Sequence, residues 1–211
     1  LNVVLAMSLY QVGVSRAPAS VVAVVFSCNP LFVLPLAALA LGEKVTGRKL
    51  ASLALSLAGI GAIAWPAFTK AGGLDPAGII LTVLSAMLFA AYGVMGKAWG
   101  RRHGSLALTC LSFLLGALEL LVLIGLSHFP PVATSLKTAG LGGFASIPIL
   151  GGLSLSKLPI FLYIAVGITG WGYAFWFLGM EHTSAQTGSL VFLIKPALAP
   201  FLAWLILGEA L

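Results

Sequence analysis

Apolar residues run along this chain in long blocks, separated by short polar clusters that hold almost all of its charge. Blocks over 1–14, 17–41, 49–66, 77–97, 105–126, 158–179 and 184–207 reach or approach the roughly 20 apolar residues that a helix needs to cross a bilayer. Within hydrocarbon every backbone N–H and C=O must be satisfied internally, so each block is predicted to be a helix. The elements expected are therefore about seven transmembrane helices, the first of them short. The stretch 127–157, rich in Gly, Pro and Ser, is the one long connection. It is predicted as an ordinary flexible loop, with FASIPILGGLSL within it a candidate for a short interfacial piece.

Two of the blocks repeat one another. NPLFVLPLAALALGE at 29–43 and KPALAPFLAWLILGE at 195–209 are both Pro-broken apolar runs closed by Gly-Glu. Pairing each position of 17–43 with the one 166 residues on gives ten identities in 27, among them Pro30/Pro196, Gly42/Gly208 and Glu43/Glu209. Apolar bias readily matches Leu with Leu, but not Pro and Gly-Glu. The copies fall in the second and the seventh segments, five crossings apart, and an odd offset inverts orientation. Inverted repeats are the architecture of many secondary transporters, whose substrate sites lie near the midplane where the repeats meet.

Composition agrees with a bilayer as solvent: 60% of the 211 residues are hydrophobic and 8% charged, and the mean hydropathy is +1.12. No soluble core absorbs so much apolar side chain. The net charge of +6 comes from Lys and Arg scattered between apolar runs, which is a topology signal and excludes a nucleic-acid patch. Lys44, Arg48, Lys49, Lys97, Arg101 and Arg102 fall on one side, and Arg16, Lys70, Lys137 and Lys157 on the other. Basic residues favour the cytoplasmic side of short loops, so 42–48 and 98–104 are placed there. Cys28 and Cys110 lie in apolar runs without metal-ligand or disulfide spacing, and His103, His128 and His182 are isolated. No metal, cofactor or catalytic constellation is predicted, and the chain is not expected to be an enzyme.

Candidate chemistry sits inside the membrane. Lys195 lies near the middle of the seventh segment, where an ammonium costs ~2.5–3.5 kcal/mol and is by default a functional residue. Pro196 and Pro200 cannot donate backbone hydrogen bonds, so carbonyls near them are freed to solvate it. Asn29 holds the equivalent place before Pro30 in the first copy, keeping polarity but not charge. Glu119, at a similar depth in the fifth segment, is the predicted partner or proton relay for Lys195. Between glycines, GWGYAFWF supplies Trp171, Tyr173 and Trp176, with Trp171 and Phe175 on one face at i,i+4 spacing. Tyr10, which aligns with Trp176, and Tyr92 complete the expected lining of a solute cavity. Glu43 and Glu209 follow a helix C-terminus, where the macrodipole disfavours a carboxylate. The N-terminal end of the next helix or a base such as Lys44 is expected to hold Glu43, giving these glutamates a structural or gating role. Small-residue stripes at Ala54, Ala58 and Ala62 and at Ala86 and Ala90 are candidate packing faces.

The two halves, each with a helix running from Asn29-Pro30 or Lys195-Pro196 to Gly-Glu, resemble the EamA family of the drug/metabolite transporter superfamily. The resemblance covers almost the whole chain. It implies an all-α membrane protein built as an inverted repeat of five-helix halves, ten helices in all, with both termini cytoplasmic. On that numbering the chain begins within the third helix and ends after the ninth. Residues 1–70 would be the C-terminal part of the first repeat and 75–211 the second repeat without its last helix. The family implies export or exchange of small metabolites, amino acids or drugs, by alternating access in the plasma (bacterial inner) membrane. The implied partners are a small-molecule substrate and the lipid bilayer, with proton coupling and a homodimer both compatible and nucleic acid excluded. Lys195 departs from the usual neutral residue before the Pro and points to an anionic or zwitterionic solute. A passive channel or facilitator, or a non-transporting accessory protein, are the alternatives that the residues leave open.

Overall fold

The computed structural model describes residues 2–70, 75–149, 151, 154–196, 198 and 205. Among these the chain is helical with connecting turns and contains no strand. The helices are α1 (Asn2–Arg16), α2 (Ala19–Ser27), α3 (Pro30–Leu41), α4 (Gly47–Lys70), α5 (Pro76–His103), α6 (Ser105–Ser127), α7 (Pro130–Thr138), α8 (Leu158–Leu162), α9 (Gly172–His182) and α10 (Ala185–Leu190). Among the described residues four continuous stretches are long and apolar enough to cross a membrane: Ala19–Leu41, Pro76–His103, Ser105–Ser127 and Leu155–His182. The predicted segments 1–14 and 49–66 are also helical, as α1 and α4, and the seventh opens as α10.

Proline placement explains the interruptions. Pro30 occupies the first turn of α3, where a missing N–H costs nothing. Cys28 and Asn29 therefore form a tight joint between α2 and α3, with the Asn29 N–H bonded to the Phe26 carbonyl at 3.1 Å. The second copy breaks at the matching place: α10 gives way to a 3₁₀ turn at Val191–Leu193 before helical backbone resumes at Lys195 and Pro196. The sixth predicted segment is less regular than its periodicity suggests. Between α8 and α9 the backbone winds into a π-helix over Tyr163–Trp171, a wide form with poor packing that is rare outside special sites.

Helix α5 lies at the centre, packed by α1, α2, α3, α6 and α9. Most of its buried positions are small, Gly78, Ser85, Ala86, Ala90, Gly93, Gly96 and Gly100 among them, with Phe89, Val94 and Lys97 as buried larger side chains. Without side chains in the way, backbones and rings approach closely, which is how membrane helices associate when lipid is as apolar as leucine. A Cβ added at Gly93 would sit 3.0 Å from the Trp176 ring, and one at Gly96 would enter the Phe177 ring. Ala86 and Ala90 are fully buried, as their stripe predicts, whereas Ala54, Ala58 and Ala62 of α4 face outward. Helix α6 presents Leu114, Leu118, Val122 and other leucines outward, the apolar exterior that lipid requires.

The long connection corrects the expectation of a flexible loop. Pro130 and Pro131 start α7, a nine-residue helix, and a 3₁₀ turn follows at Gly142–Phe144. The chain is then tied back to α6, because the Ser146 N–H donates to the Ser127 carbonyl at 2.9 Å. The reason the connection reads as loop is that α7 is short and mixed in polarity, with a proline start and only a narrow apolar face at Val132, Ala133 and Leu136.

Gly96→Ala is expected to destabilise the protein by about 1–3 kcal/mol, since the Phe177 ring must leave its packed position. Thermal unfolding of the detergent-purified protein should show a Tm several degrees lower. Gly125→Ala, where an added Cβ meets nothing within 4 Å, should leave Tm in place.

Candidate functional site

Aromatic side chains from separate helices meet around α5. Tyr10 of α1 stands edge-on to Phe26 of α2, ring centroids 5.1 Å apart. Phe26 meets Phe89 of α5 at 5.4 Å, and Phe89 stacks on Trp176 of α9 at 5.7 Å. Trp176 in turn touches Phe177 at 4.8 Å. Phe192, in the 3₁₀ turn of the second copy, is edge-on to both Phe89 and Trp176. The ammonium of Lys195 lies 4.4 Å from the Phe192 ring centre, within cation–π range. Tyr92 and Tyr173 flank the same group, 6.4 Å apart. The Tyr92 hydroxyl is buried towards Ser112 of α6 without a hydrogen bond of good geometry.

The structure thus brings together Tyr10, Tyr92, Tyr173, Trp176 and Lys195 from the sequence-predicted set. It places Trp171 elsewhere: this ring stacks on Phe175 at 5.5 Å, as their spacing predicts, but both are more than half exposed. Asn29 is fully buried, and its Nδ2 donates to the Ala86 carbonyl at 2.8 Å, locking the α2–α3 joint to α5. Glu119 is half-buried on α6, three residues beyond Gly116, which faces Val4 of α1. Pro30 and Pro196 stand at the two helix breaks; Pro200 and Glu209 lie outside the described residues.

A second constellation forms at one end of the helices. Gly42 closes α3 in the left-handed conformation, φ 64°, which glycine adopts without strain. The turn carries Glu43 away from the unfavourable C-terminus of α3 and towards the start of α10. There Oε1 accepts from the Ala185 N–H at 2.7 Å and Oε2 from the Gln186 N–H at 3.3 Å. Lys97 of α5 completes the group, its Nζ 3.1 Å from Glu43 Oε1 and 2.5 Å from the Thr183 carbonyl oxygen. The holder of Glu43 is therefore a helix N-terminus plus a base, but the helix is α10, not the next one in sequence, and the base is Lys97, not Lys44. Lys49 of α4 donates to Gln186 Oε1 at 2.5 Å. Glu181, at the end of α9, accepts from both the N–H and the hydroxyl of Ser105, capping α6 in the same manner.

Burial pushes the Glu43 carboxyl upward, but the two backbone N–H groups and Lys97 outweigh it and hold its pKa below the ordinary 4.5. The contacts also sort the loops. Residues 42–46, 97–105 and 181–186 gather at this end, whereas Arg16 pairs with Asp75 at 3.8 Å and neighbours Gly140.

The EamA-like transporter family matches residues 1–65 and 76–211. The chain belongs to this family. An uncharacterized transporter of Clostridium kluyveri is 35% identical over 214 residues, covering 100% of this chain and 63% of that protein. Protein PecM of Dickeya dadantii is 31% identical over 93% of this chain and 59% of its own length. A probable terminal-alkyne amino-acid exporter of Streptantibioticus cattleyicolor is 28% identical over 96% of this chain and 62% of its own. The chain thus spans about three-fifths of the length of these relatives. Family membership and the four long apolar helices make it a multi-pass membrane protein.

Sequence reasoning missed Lys97, Gln186 and Glu181 as site residues. Lys97 carried a signal: it shares the Gly93-x-x-Gly96-Lys97-x-x-Gly100 stretch, whose glycines mark a buried face.

A carboxylate with a depressed pKa contributes stability above its unfolded pKa, and that contribution is lost as pH falls through the folded value. Thermal stability of the purified protein is expected to be flat in its Glu43 contribution above pH ~5 and to fall in more acid buffer. In Glu43→Gln this acid-dependent component should be missing, which a Tm-against-pH series measures.

Proposed function

We propose that the protein to which this chain belongs is a secondary transporter that moves small organic solutes by alternating access in the plasma membrane. The observation that carries the reading is the convergence of aromatic rings at the two helix breaks, with the Lys195 ammonium over Phe192. Broken helices with freed carbonyls and half-helix ends are the usual substrate-binding devices of membrane transporters. Lys195 binds an anionic group of the solute, and Trp176, Tyr173, Tyr10 and Tyr92 pack its apolar part. Metabolites such as amino acids fit this chemistry, in keeping with the printed name of the Streptantibioticus cattleyicolor relative. Glu119 is the candidate for balancing charge or carrying a coupling proton, and a homodimer is compatible with the outward face of α6.

Residues 1–70 and 75–211 are read as parts of two inverted repeats. The matching breaks at Asn29-Pro30 and at 191–196 support this, as does the sorting of loops to opposite ends. The end holding 42–46 and 97–105 carries Lys44, Arg48, Arg101 and Arg102, which favours the cytoplasmic side.

Lys195→Ala in the full-length protein is expected to reduce solute flux in proteoliposomes to background while membrane insertion is unchanged; full flux would overturn the reading. Glu119→Gln is expected to remove the pH dependence of uptake with binding retained. Uptake that keeps its full pH dependence would exclude Glu119 as the proton carrier.

A further inference from the structure

We infer that Glu43 and Lys97 form an electrostatic latch that closes the solute path at the 42–46 end, so that the structure is in the state sealed on that side. The inference rests on the transport reading above and adds which contact gates access, and from which face. The pair crosses between the two separately matched parts of the chain, 1–65 and 76–211. It is almost fully buried, with 8% of the Lys97 and 11% of the Glu43 side chain exposed.

The bonding pattern is that of a joint able to part. Each hydrogen bond described for the Glu43 carboxylate goes to the second part of the chain, to Ala185, Gln186 and Lys97, and none to α3 or α4. Lys97 keeps the Thr183 carbonyl, which belongs to its own part, so separation does not leave a buried ammonium without any partner. The start of α10 likewise keeps its own cap, since Ser184 Oγ accepts from the Thr187 N–H at 2.9 Å. Glu43 itself follows the helix end and meets water on release. Behind the latch, Gln186 bonds to Lys49 and to the Leu34 carbonyl, over a small cavity bordered by Leu34, Lys49 and Ser189. Releasing the carboxylate frees the Ala185 and Gln186 N–H groups and leaves the single Gln186 side chain, through Lys49 and Leu34, as the tie that must also yield for that cavity to open towards the 42–46 end.

The test places a reporter behind the latch. In the full-length protein, with its other cysteines replaced by serine, Ser189→Cys is labelled by a membrane-impermeant maleimide in inside-out and right-side-out vesicles. Ser189 is 1% exposed, so slow labelling is expected with the latch intact. Glu43→Gln and Lys97→Gln are each expected to raise the rate about tenfold, from the 42–46 face alone, by shifting the population towards the open state. Lys97→Arg, which keeps charge and donors, should stay slow. Monodisperse gel filtration checks folding, and either glutamine variant suffices if the other fails to fold. Unchanged labelling in a folded glutamine variant, or an equal rise from both faces, overturns the latch. Labelling needs no solute movement, so this failure is distinct from loss of the transport reading, which the flux assay decides.

Discussion

Helix α5 occupies the centre of the fold because glycine, alanine and serine at many of its inward positions let neighbours come close, with Phe89 and Lys97 as its buried large side chains. Lipid tails solvate leucine as well as another helix does, so apolar area alone does not drive helices together. What remains is close packing and hydrogen bonding, and both need backbones to approach. The Gly and Ala positions of α5 allow this, and the polar links follow: Asn29 reaches the Ala86 carbonyl, Ser85 the Ala6 carbonyl at 2.6 Å, and Asn2 the Leu88 carbonyl at 3.2 Å. Each bond also keeps a polar side chain satisfied in a place where an unpaired one is costly.

Around that axis, two irregular backbone stretches, the α2–α3 joint and the 3₁₀ turn, lie where the aromatic rings meet. The α2–α3 joint, the 3₁₀ turn before Lys195 and the π-helix before α9 each redirect a chain that would otherwise run straight. The π-helix keeps its backbone hydrogen bonds within the chain and stands exposed, whereas the other two breaks need protein to cover them. Here Asn29 is covered by α5, and Phe192 is buried in the ring cluster. A straight helix would present Phe26 and Phe192 with regular neighbours; the breaks bring them within 6.5 Å of one another.

Charge is handled differently at the helix ends. Glu43 and Glu181 both stand near the C-terminus of a helix, where the dipole opposes them, and both are turned onto the N-terminus of another helix, where it favours them. The 181–186 segment is thereby wired to α3, α5 and α6 at once. Polar and charged contacts add to packing here, since Ala185 is buried in the same cluster as Val33, Ala37 and Phe177.

The membrane class, the all-helical character, the Pro30 break and the family were legible in the residue pattern, because each depends on local order or on motif spacing, whereas α7 and the π-helix were not. Trp171 and Phe175 stack as their i,i+4 spacing requires, and Ala86 and Ala90 are buried as their stripe implies. Periodicity names a face but not its neighbour, and this is why Ala54, Ala58 and Ala62 prove to face outward and Trp171 lies apart from the ring cluster. The partners of Asn29 and Glu43 are 57 and 142 residues away in the chain. Only the folded arrangement of α5, α9 and α10 decides those distances, so only the tertiary structure joins Glu43 to Lys97 and Asn29 to the Ala86 carbonyl, whereas Lys195 meets Phe192 through local i,i+3 spacing.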